Sequence, residues 1–240
     1  MISIIIPTYC EVQNIPVIIP KIFEVLQNEN IQSELIIVDD NSPDGTADAA
    51  QTMANQYPVR VAVREKEKGL ATAVIKGFDL ANGDICVVMD ADLSHPVEKL
   101  PDLIRPLMEQ NLDAVIGSRY VNGSGIEGCS LFRKMISRVG GLLAKGLTEM
   151  SDPTSGFIAF KKSLLNNVKL NPIGWKIILE LMVKADPKFK EIPIRFAKRK
   201  LGKNKFSIKV QIDFLRHLWR LYFYKFSKSY KLDKTFQTVK

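Results

Sequence analysis

Long apolar runs are missing from this chain of 240 residues. None approaches the roughly 20 residues that a bilayer-spanning helix needs, so no helical span is expected. The N-terminal stretch MISIIIPTYC has neither a basic leader nor a small-residue cleavage site, which points to a buried strand and not to a signal peptide. The expected location is cytoplasmic. Cysteine is scarce too. Cys10, Cys86 and Cys129 are odd in number and unclustered, suggesting neither a disulfide framework nor a zinc site. A glycine-rich phosphate loop is missing from its usual place, and the glycine-bearing loop VNGSGIEGCS lies far downstream. No GxGxxG follows the first apolar run, and no GxxxxGKS or GxxxxGKT occurs. A dinucleotide-binding Rossmann unit is therefore weakly supported, and an ATPase is not expected. Neither an internal repeat nor a low-complexity linker divides the chain. The simplest organisation is one domain over residues 1–209 with a basic, aromatic helical extension over 210–240.

Acidic residues are the next shortage, and it is local. The net charge is +8, and its excess gathers between Lys184 and Lys240, interleaved with Trp219, Tyr222, Phe223, Tyr224, Phe226 and Tyr230. Such a tail suits nucleic acid, an anionic membrane surface or an anionic substrate. A plain solvated face is the bland alternative, and the aromatics count against it. A nucleic-acid-binding protein is a poor fit, because no recognised binding module is present and acids cluster elsewhere. No nucleic-acid partner is expected.

What is present is alternation. Ile2–Pro7, Glu34–Asp40, Val59–Arg64 and Ile85–Asp90 read as short buried strands. Helical segments near Asn14–Asn28, Thr46–Gln56 and Gly69–Asn82 separate them. This is the pattern of βαβ units and predicts an α/β fold, Rossmann-like, with a mostly parallel central sheet flanked by helices. Further along, helices are predicted at Glu98–Asn111 and Leu131–Gly146, and strands at Ala114–Gly117, before Phe160 and at Ile192–Phe196. Pro172–Trp175 opens a helix carrying Lys176 and Glu180, and the last forty residues form one or two helices. Ligands of such sheets bind beyond the carboxyl ends of the strands. Pro7-Thr8-Tyr9-Cys10-Glu11, Asp39-Asp40 and Asp90-Ala91-Asp92 all fall there, so they should converge on one edge.

The run VVMDADLSHP sharpens this. Strand alternation would put Asp90 and Asp92 on the same side, where bare carboxylates repel. A cation between them resolves the repulsion, and oxygen-only ligands suit Mg2+ or Mn2+ better than zinc. The alternative is structural, with Asp90 closing the strand and Asp92 starting a turn toward Pro96. His95 is either a third ligand or a turn residue.

In order, the segments IIIPTYCEVQNI, ELIIVDDNSPDGT, EKGLATAVIKGF, GDICVVMDADLSHPVEKL, AVIGSRYV, RKMISRVG, DPTSGFIAF and NPIGWKIILELM occur between Met1 and Lys205. Together they resemble the family-2 glycosyltransferases with the GT-A fold, and among them the dolichol-phosphate mannose synthases. The resemblance implies a nucleotide pocket for GDP-mannose at Pro7, Tyr9, Glu11, Val38 and Asp40. It implies that Asp90, Ala91 and Asp92 hold the ribose and diphosphate together with the metal, with Ser94 as a weak further ligand. It also implies that Arg119, Arg133, Ser137 and Arg199 take the phosphate of a dolichyl or polyprenyl phosphate, and that Lys205 closes over the site. Two positions depart from the family pattern. Ser94 stands where the family often has Gln, and Gly202-Lys203-Asn204-Lys205 stands where it usually reads G-x-S-K.

The chemistry expected from this resemblance is direct displacement. The leaving diphosphate needs a metal to absorb its charge, with Asp92 as direct ligand and Asp90 shared with the ribose. The nucleophile would be a phosphate monoester, already largely dianionic near neutrality with a second pKa of about 6, so no general base is needed. Arginines suited to bidentate phosphate grip would aim it, and Asp92, Arg119 and Arg133 are the expected catalytic set. Displacement at the anomeric carbon inverts it, giving a β-linked lipid product. The alternatives are another donor such as UDP-glucose, or a glycan acceptor. A lipid acceptor in turn implies attachment to the cytoplasmic face of a membrane, through the tail or a small membrane partner. Core packing is the tail's remaining alternative.

Overall fold

The computed structural model describes residues 1–127, 131–166, 168–197 and 208–237, with residues 131–137, 208–209 and 228–237 as helix backbone alone. Arg199 and Lys205 lie outside the described residues, as do the side chains of Arg133 and Ser137.

Seven strands build the central sheet: β1 (Ile2–Thr8), β2 (Ser33–Asp39), β3 (Val59–Val63), β4 (Ile85–Val88), β5 (Ala114–Ser118), β7 (Ile158–Lys161) and β8 (Phe189–Pro193). Their order is β3-β2-β1-β4-β7-β5-β8. The strands β3, β2, β1 and β4 are parallel neighbours, as the alternation predicts. The departure is β7, which runs antiparallel between β4 and β5 and pairs Ile158 with Val88. The segment expected as one strand, Ile192–Phe196, is divided between β8 and β9 (Arg195–Phe196), and β9 pairs with β6 (Gly125–Ile126) in a separate small sheet.

The helices are α1 (Ile15–Asn28), α2 (Thr46–Met53), α3 (Leu70–Leu80), α4 (Leu100–Glu109), α5 (Leu131–Ala144), α6 (Ile177–Ala185) and α7 (Ile208–Gln237). Strand alternation divides them between the two faces. Ile4, Ile6, Leu35 and Ile37 pack in one core with Ile18, Ile22, Leu103 and Ile104 of α1 and α4. Ile5, Ile36 and Val38 pack in the other with Val74 and Phe78 of α3 and Ile178 of α6. On that face α3 lies so close to β1 that a Cβ on Gly77 would stand 2.3 Å from Ile5 Cγ2, leaving room for glycine only. Cys86 is buried in β4, and burial pushes its thiol up to about 12, as expected of an inert core cysteine.

The C-terminal segment forms one helix, and the boundary expected at residue 209 falls inside it. Phe214, Leu218 and Leu221 of α7 are buried with Leu179 and Val183 of α6 and with Ala144 and Leu147. Beneath them Glu180, fully buried, accepts from Lys184 and Asn171 and faces His217 Nε2 at 3.4 Å. One face of α7 therefore belongs to the core. The other carries Trp219, Phe223 and Phe226, each more than 60% exposed.

Candidate active site

The carboxyl edge of the sheet is where backbone strain collects. Cys10 after β1, Asn41 after β2 and Leu93 after β4 all have positive φ, at 56°, 51° and 61°. Such residues persist only where their surroundings over-determine them, and they concentrate at sites. Hydrogen bonds supply that determination. Asp39 accepts from the Thr8 hydroxyl and from both the amide and hydroxyl of Ser42, while Ser42 Oγ also accepts from the Cys10 amide. Asp44 accepts from the Val12 amide and from Thr46, and Glu11 accepts from Asn14 Nδ2 at 2.7 Å.

Asp40 is likewise engaged. Its carboxylate pairs with the buried Arg64 and accepts from the Gly69 amide at 2.6 Å, at a φ of +133° that suits glycine alone. This links the end of β2 to the start of α3. Of the other residues expected at the nucleotide pocket, Tyr9 is exposed with Lys68 Nζ 5.7 Å from its ring centre. The Val38 side chain is in the core, as is Ala91. Pro7 lines a cavity at the same edge.

The cavity, of about 240 Å3, is lined by Pro7, Asp90, Asp92, His95, Arg119 and Lys176 among others. Asp90 and Asp92 do converge there, but not by strand alternation. The strand β4 ends at Val88, and the positive-φ Leu93 turns the chain so that Asp92 Oδ1 accepts from the Ser94 amide at 3.0 Å. Ser94 itself is buried, and its carbonyl accepts from Ala197.

His95 is a positioning residue here. Its Nδ1 accepts the Asp90 amide at 3.1 Å, and Nε2 faces Asp90 Oδ2 at 3.9 Å. The ring is stacked on Phe157 and edged by Phe196. Burial pushes this imidazole below its ordinary range despite the opposing charges of Asp90 and Asp92. The neutral ring thus holds Asp90 from behind, and the turn-residue alternative is the one the packing favours.

Arg119 forms the opposite wall. Its Nε and Nη2 each lie 2.7 Å from an oxygen of Asp152, and its amide donates to the same carboxylate at 3.0 Å. Asp152 is fully buried, so this is a desolvated bidentate pair. Burial opposes both charges, but the mutual hydrogen bond and attraction outweigh it, raising the guanidinium and lowering the carboxyl. The Arg119 side chain keeps 15% of its surface exposed, toward the cavity.

The sequence reading missed this partner, and the reason is topological. Residues 152–157 precede a strand. The carboxyl-end rule points only to segments that come after strands, but β7 is antiparallel, so its beginning reaches the same edge as the end of β4. Lys176 was missed as well. It stands at the N-terminal boundary of α6, lines the cavity, is 5% exposed, and donates from Nζ to the Thr154 carbonyl. The signal was present in the turn Asp152-Pro153-Thr154-Ser155-Gly156, whose residue types suit a tight site loop. The remaining lining is largely apolar, including Trp175, Ile178, Phe196 and Phe214.

Comparison with known proteins matches residues 3–169 to "Glycosyl transferase family 2". A dolichol-phosphate mannosyltransferase of Pyrococcus furiosus is 44% identical over 225 residues, covering 92% of this chain. The chain spans 63% of the length of that relative. The dolichol-phosphate mannosyltransferase of Saccharomyces cerevisiae is 40% identical, over 93% of this chain and 88% of its own length. Among solved structures, mannosyl-3-phosphoglycerate synthase from Rubrobacter xylanophilus superposes with a TM-score of 0.70 at 16% identity, covering 92% of this chain and 73% of that one. Glucosyl-3-phosphoglycerate synthase from Mycobacterium tuberculosis, in complex with Mn2+, UDP and glucosyl-3-phosphoglycerate, gives 0.65 at 20% identity, covering 94% of this chain and 79% of that one.

Proposed function

We infer the reaction from a plain premise: the chain belongs to glycosyl transferase family 2 and has the GT-A fold. We read it as an enzyme that transfers mannose from GDP-mannose to the phosphate of a dolichol or polyprenol monophosphate. The observation that carries this reading is one largely apolar cavity with Asp90 and Asp92 on one wall and Arg119 on the other. An anionic acceptor with an apolar tail suits that combination, and relatives at 44% and 40% identity bear the name dolichol-phosphate mannosyltransferase.

The donor set on the acidic wall is all oxygen. Among the described residues no group of three or more His, Cys, Asp or Glu converges, so a closed protein cage is not on offer. Paired carboxylates that leave the remaining positions to phosphate oxygens and water fit Mg2+ or Mn2+. Asp90 and Asp92 would hold that ion, which when bound offsets charge on the departing diphosphate. The chain's own residues do the rest. His95 orients Asp90, and Asp152 holds the Arg119 guanidinium in a fixed plane for the acceptor phosphate. Apolar walls exclude water, which would otherwise compete as nucleophile. The phosphate dianion attacks without a base, and the configuration inverts to a β-linked product. Arg133, Ser137, Arg199 and Lys205 remain proposed partners of that phosphate.

The acceptor class brings the protein to a membrane. Among the described residues no helix is long and apolar enough to cross one. We read the attachment as peripheral, on the cytoplasmic face, through exposed Leu142, Trp219, Phe223 and Phe226 with nearby Lys and Arg. A small membrane partner is the alternative.

The test is direct. The protein is incubated with Mg2+ or Mn2+, a mixed polyprenyl phosphate fraction, and labelled GDP-mannose, GDP-glucose or UDP-glucose in turn. Label is expected in the organic phase from GDP-mannose and to be abolished by EDTA. Label from UDP-glucose alone would overturn the donor, and label from none would overturn the acceptor class.

A further inference from the structure

Two cations close on one residue at the back of the cavity. Arg119 Nη2 donates to the Thr154 hydroxyl at 2.6 Å, and Lys176 Nζ donates to the carbonyl of the same Thr154. Lys176 also lies against the face of Trp175, its Nζ 3.4 Å from the ring centre. A lysine this buried ordinarily has a carboxylate against it. Among the described residues Lys176 forms no ion pair within 4 Å; the carboxylates whose charge reaches it are Asp152, held bidentately by Arg119, and Asp90. Arg119 and Lys176 both line the cavity. The same cavity is lined by the apolar Trp175, Ile177, Ile178 and Phe214. A cationic end joined to an apolar trough is complementary to an anion on a hydrocarbon chain.

We propose that Lys176 is a second cation for the acceptor's phosphate, set beside Arg119, and that the trough from Trp175 to Phe214 receives the first prenyl units. This rests on the lipid-phosphate reading above and adds to it a residue and a path. Lys176 touches the substrate through Nζ, which exchanges the Thr154 carbonyl for a phosphate oxygen or shares its donors between them. Burial, and then the charge of Arg119, push Lys176 well below the ordinary lysine range, with Asp152 and Asp90 opposing. Without a bound anion the amine therefore sheds its proton as pH rises. A phosphate dianion beside it favours the ammonium, so binding takes up a proton.

The experiment titrates citronellyl phosphate and inorganic phosphate calorimetrically into the full chain loaded with Mn2+ and GDP. It is run at mildly alkaline pH in two buffers of different ionisation enthalpy, with Lys176→Gln and Lys176→Arg beside wild type. Wild type is expected to bind both phosphates with proton uptake, citronellyl phosphate more tightly. Lys176→Gln should bind both about tenfold more weakly and without uptake, as loss of a charged hydrogen bond predicts. Lys176→Arg, permanently charged, should recover affinity but not uptake, and GDP affinity should stay within about twofold in both variants. Near-ultraviolet circular dichroism checks that each variant is folded. Phosphate affinity unchanged in Lys176→Gln, or GDP weakened as much as phosphate, overturns the role of Lys176. Inorganic phosphate bound as tightly as citronellyl phosphate removes the trough. If Lys176→Gln loses phosphate as expected but wild type transfers sugar to no prenyl phosphate, the lipid reading fails while the phosphate site stands.

Discussion

The two walls of the cavity keep charge in place by opposite means. On the β1–β2–β4 side the charges at and behind the cavity are carboxylates, held by amides and hydroxyls of strained turns: Asp39 by Thr8 and Ser42, Asp44 by Val12 and Thr46, Asp92 by Ser94. Asp40 is the exception and pairs with Arg64. On the β5–β7–α6 side they are cations, held by one buried carboxylate and by the Thr154 loop. Amides and hydroxyls hold a carboxylate without neutralising it. Arg119 is paired with Asp152, and Lys176 lines the same cavity, donating to the Thr154 loop. Under the proposed function, a divalent ion would finish the acidic wall and the acceptor phosphate the basic one.

The sharpest way to break the comparison is at the acidic wall. Asp92→Ala is expected to lower transfer about a thousandfold, as removal of a principal charge-stabilising contact does. The melting temperature should move little, because Asp92 is only half-buried. Initial rates beside a melt measure this. Activity within tenfold of wild type would take Asp92 out of the metal site.

On the basic wall the expected effect is mixed. Asp152→Asn leaves Arg119 without its counter-ion, and breaking one partner of a buried pair costs about 3 kcal/mol. Denaturant unfolding should show that loss together with weaker use of the acceptor and nearly unchanged GDP binding. A variant that kept full stability would show that the walls are not held differently after all.

Behind the basic wall, α6 and α7 offer a smaller, pH-dependent effect. Burial raises Glu180, but the adjacent His217 ring and hydrogen bonds from Lys184 and the Asn171 amide outweigh it and hold the carboxyl at about 2, against an ordinary 4.5. A depressed carboxyl contributes stability above its unfolded value, and that contribution disappears as pH falls through the folded value. The melting difference between wild type and Glu180→Gln should thus be constant above about pH 5 and vanish toward pH 2. A difference independent of pH would mean that Glu180 acts by packing alone.

The smallest effect is expected on the outer face. Trp219 and Phe223 are 73% and 63% exposed, so replacing both with Ser should leave the melt unchanged. Co-sedimentation with anionic vesicles should weaken severalfold, and more so in high salt. Undiminished sedimentation would assign membrane contact to another surface.

Much of the acidic wall was legible in the sequence. The motifs Pro7–Glu11, Asp39-Asp40 and Asp90–Asp92 follow short apolar strands, and parallel strands bring their ends together. The basic wall was half legible. Arg119 follows β5 and was named through the family resemblance, whereas Asp152, Thr154 and Lys176 precede their elements and were not named. The tail, read as an extension, is one helix with two faces. Spacing alone could not tell which aromatics would be buried, since Phe214 and Phe223 are chemically alike and differ only in what packs against them.

The sequence by itself determined the alternation of buried strands with helices, the family, and the acids at the strand ends. Those are local properties: apolar period, turn residues and ordered motifs. Only the tertiary structure decided the direction of β7, and with it the neutral His95 behind Asp90, the Arg119–Asp152 pair and the position of Lys176 in the cavity. Strand direction depends on which neighbour completes the sheet, a pairing between residues far apart in the chain, and no local pattern encodes it.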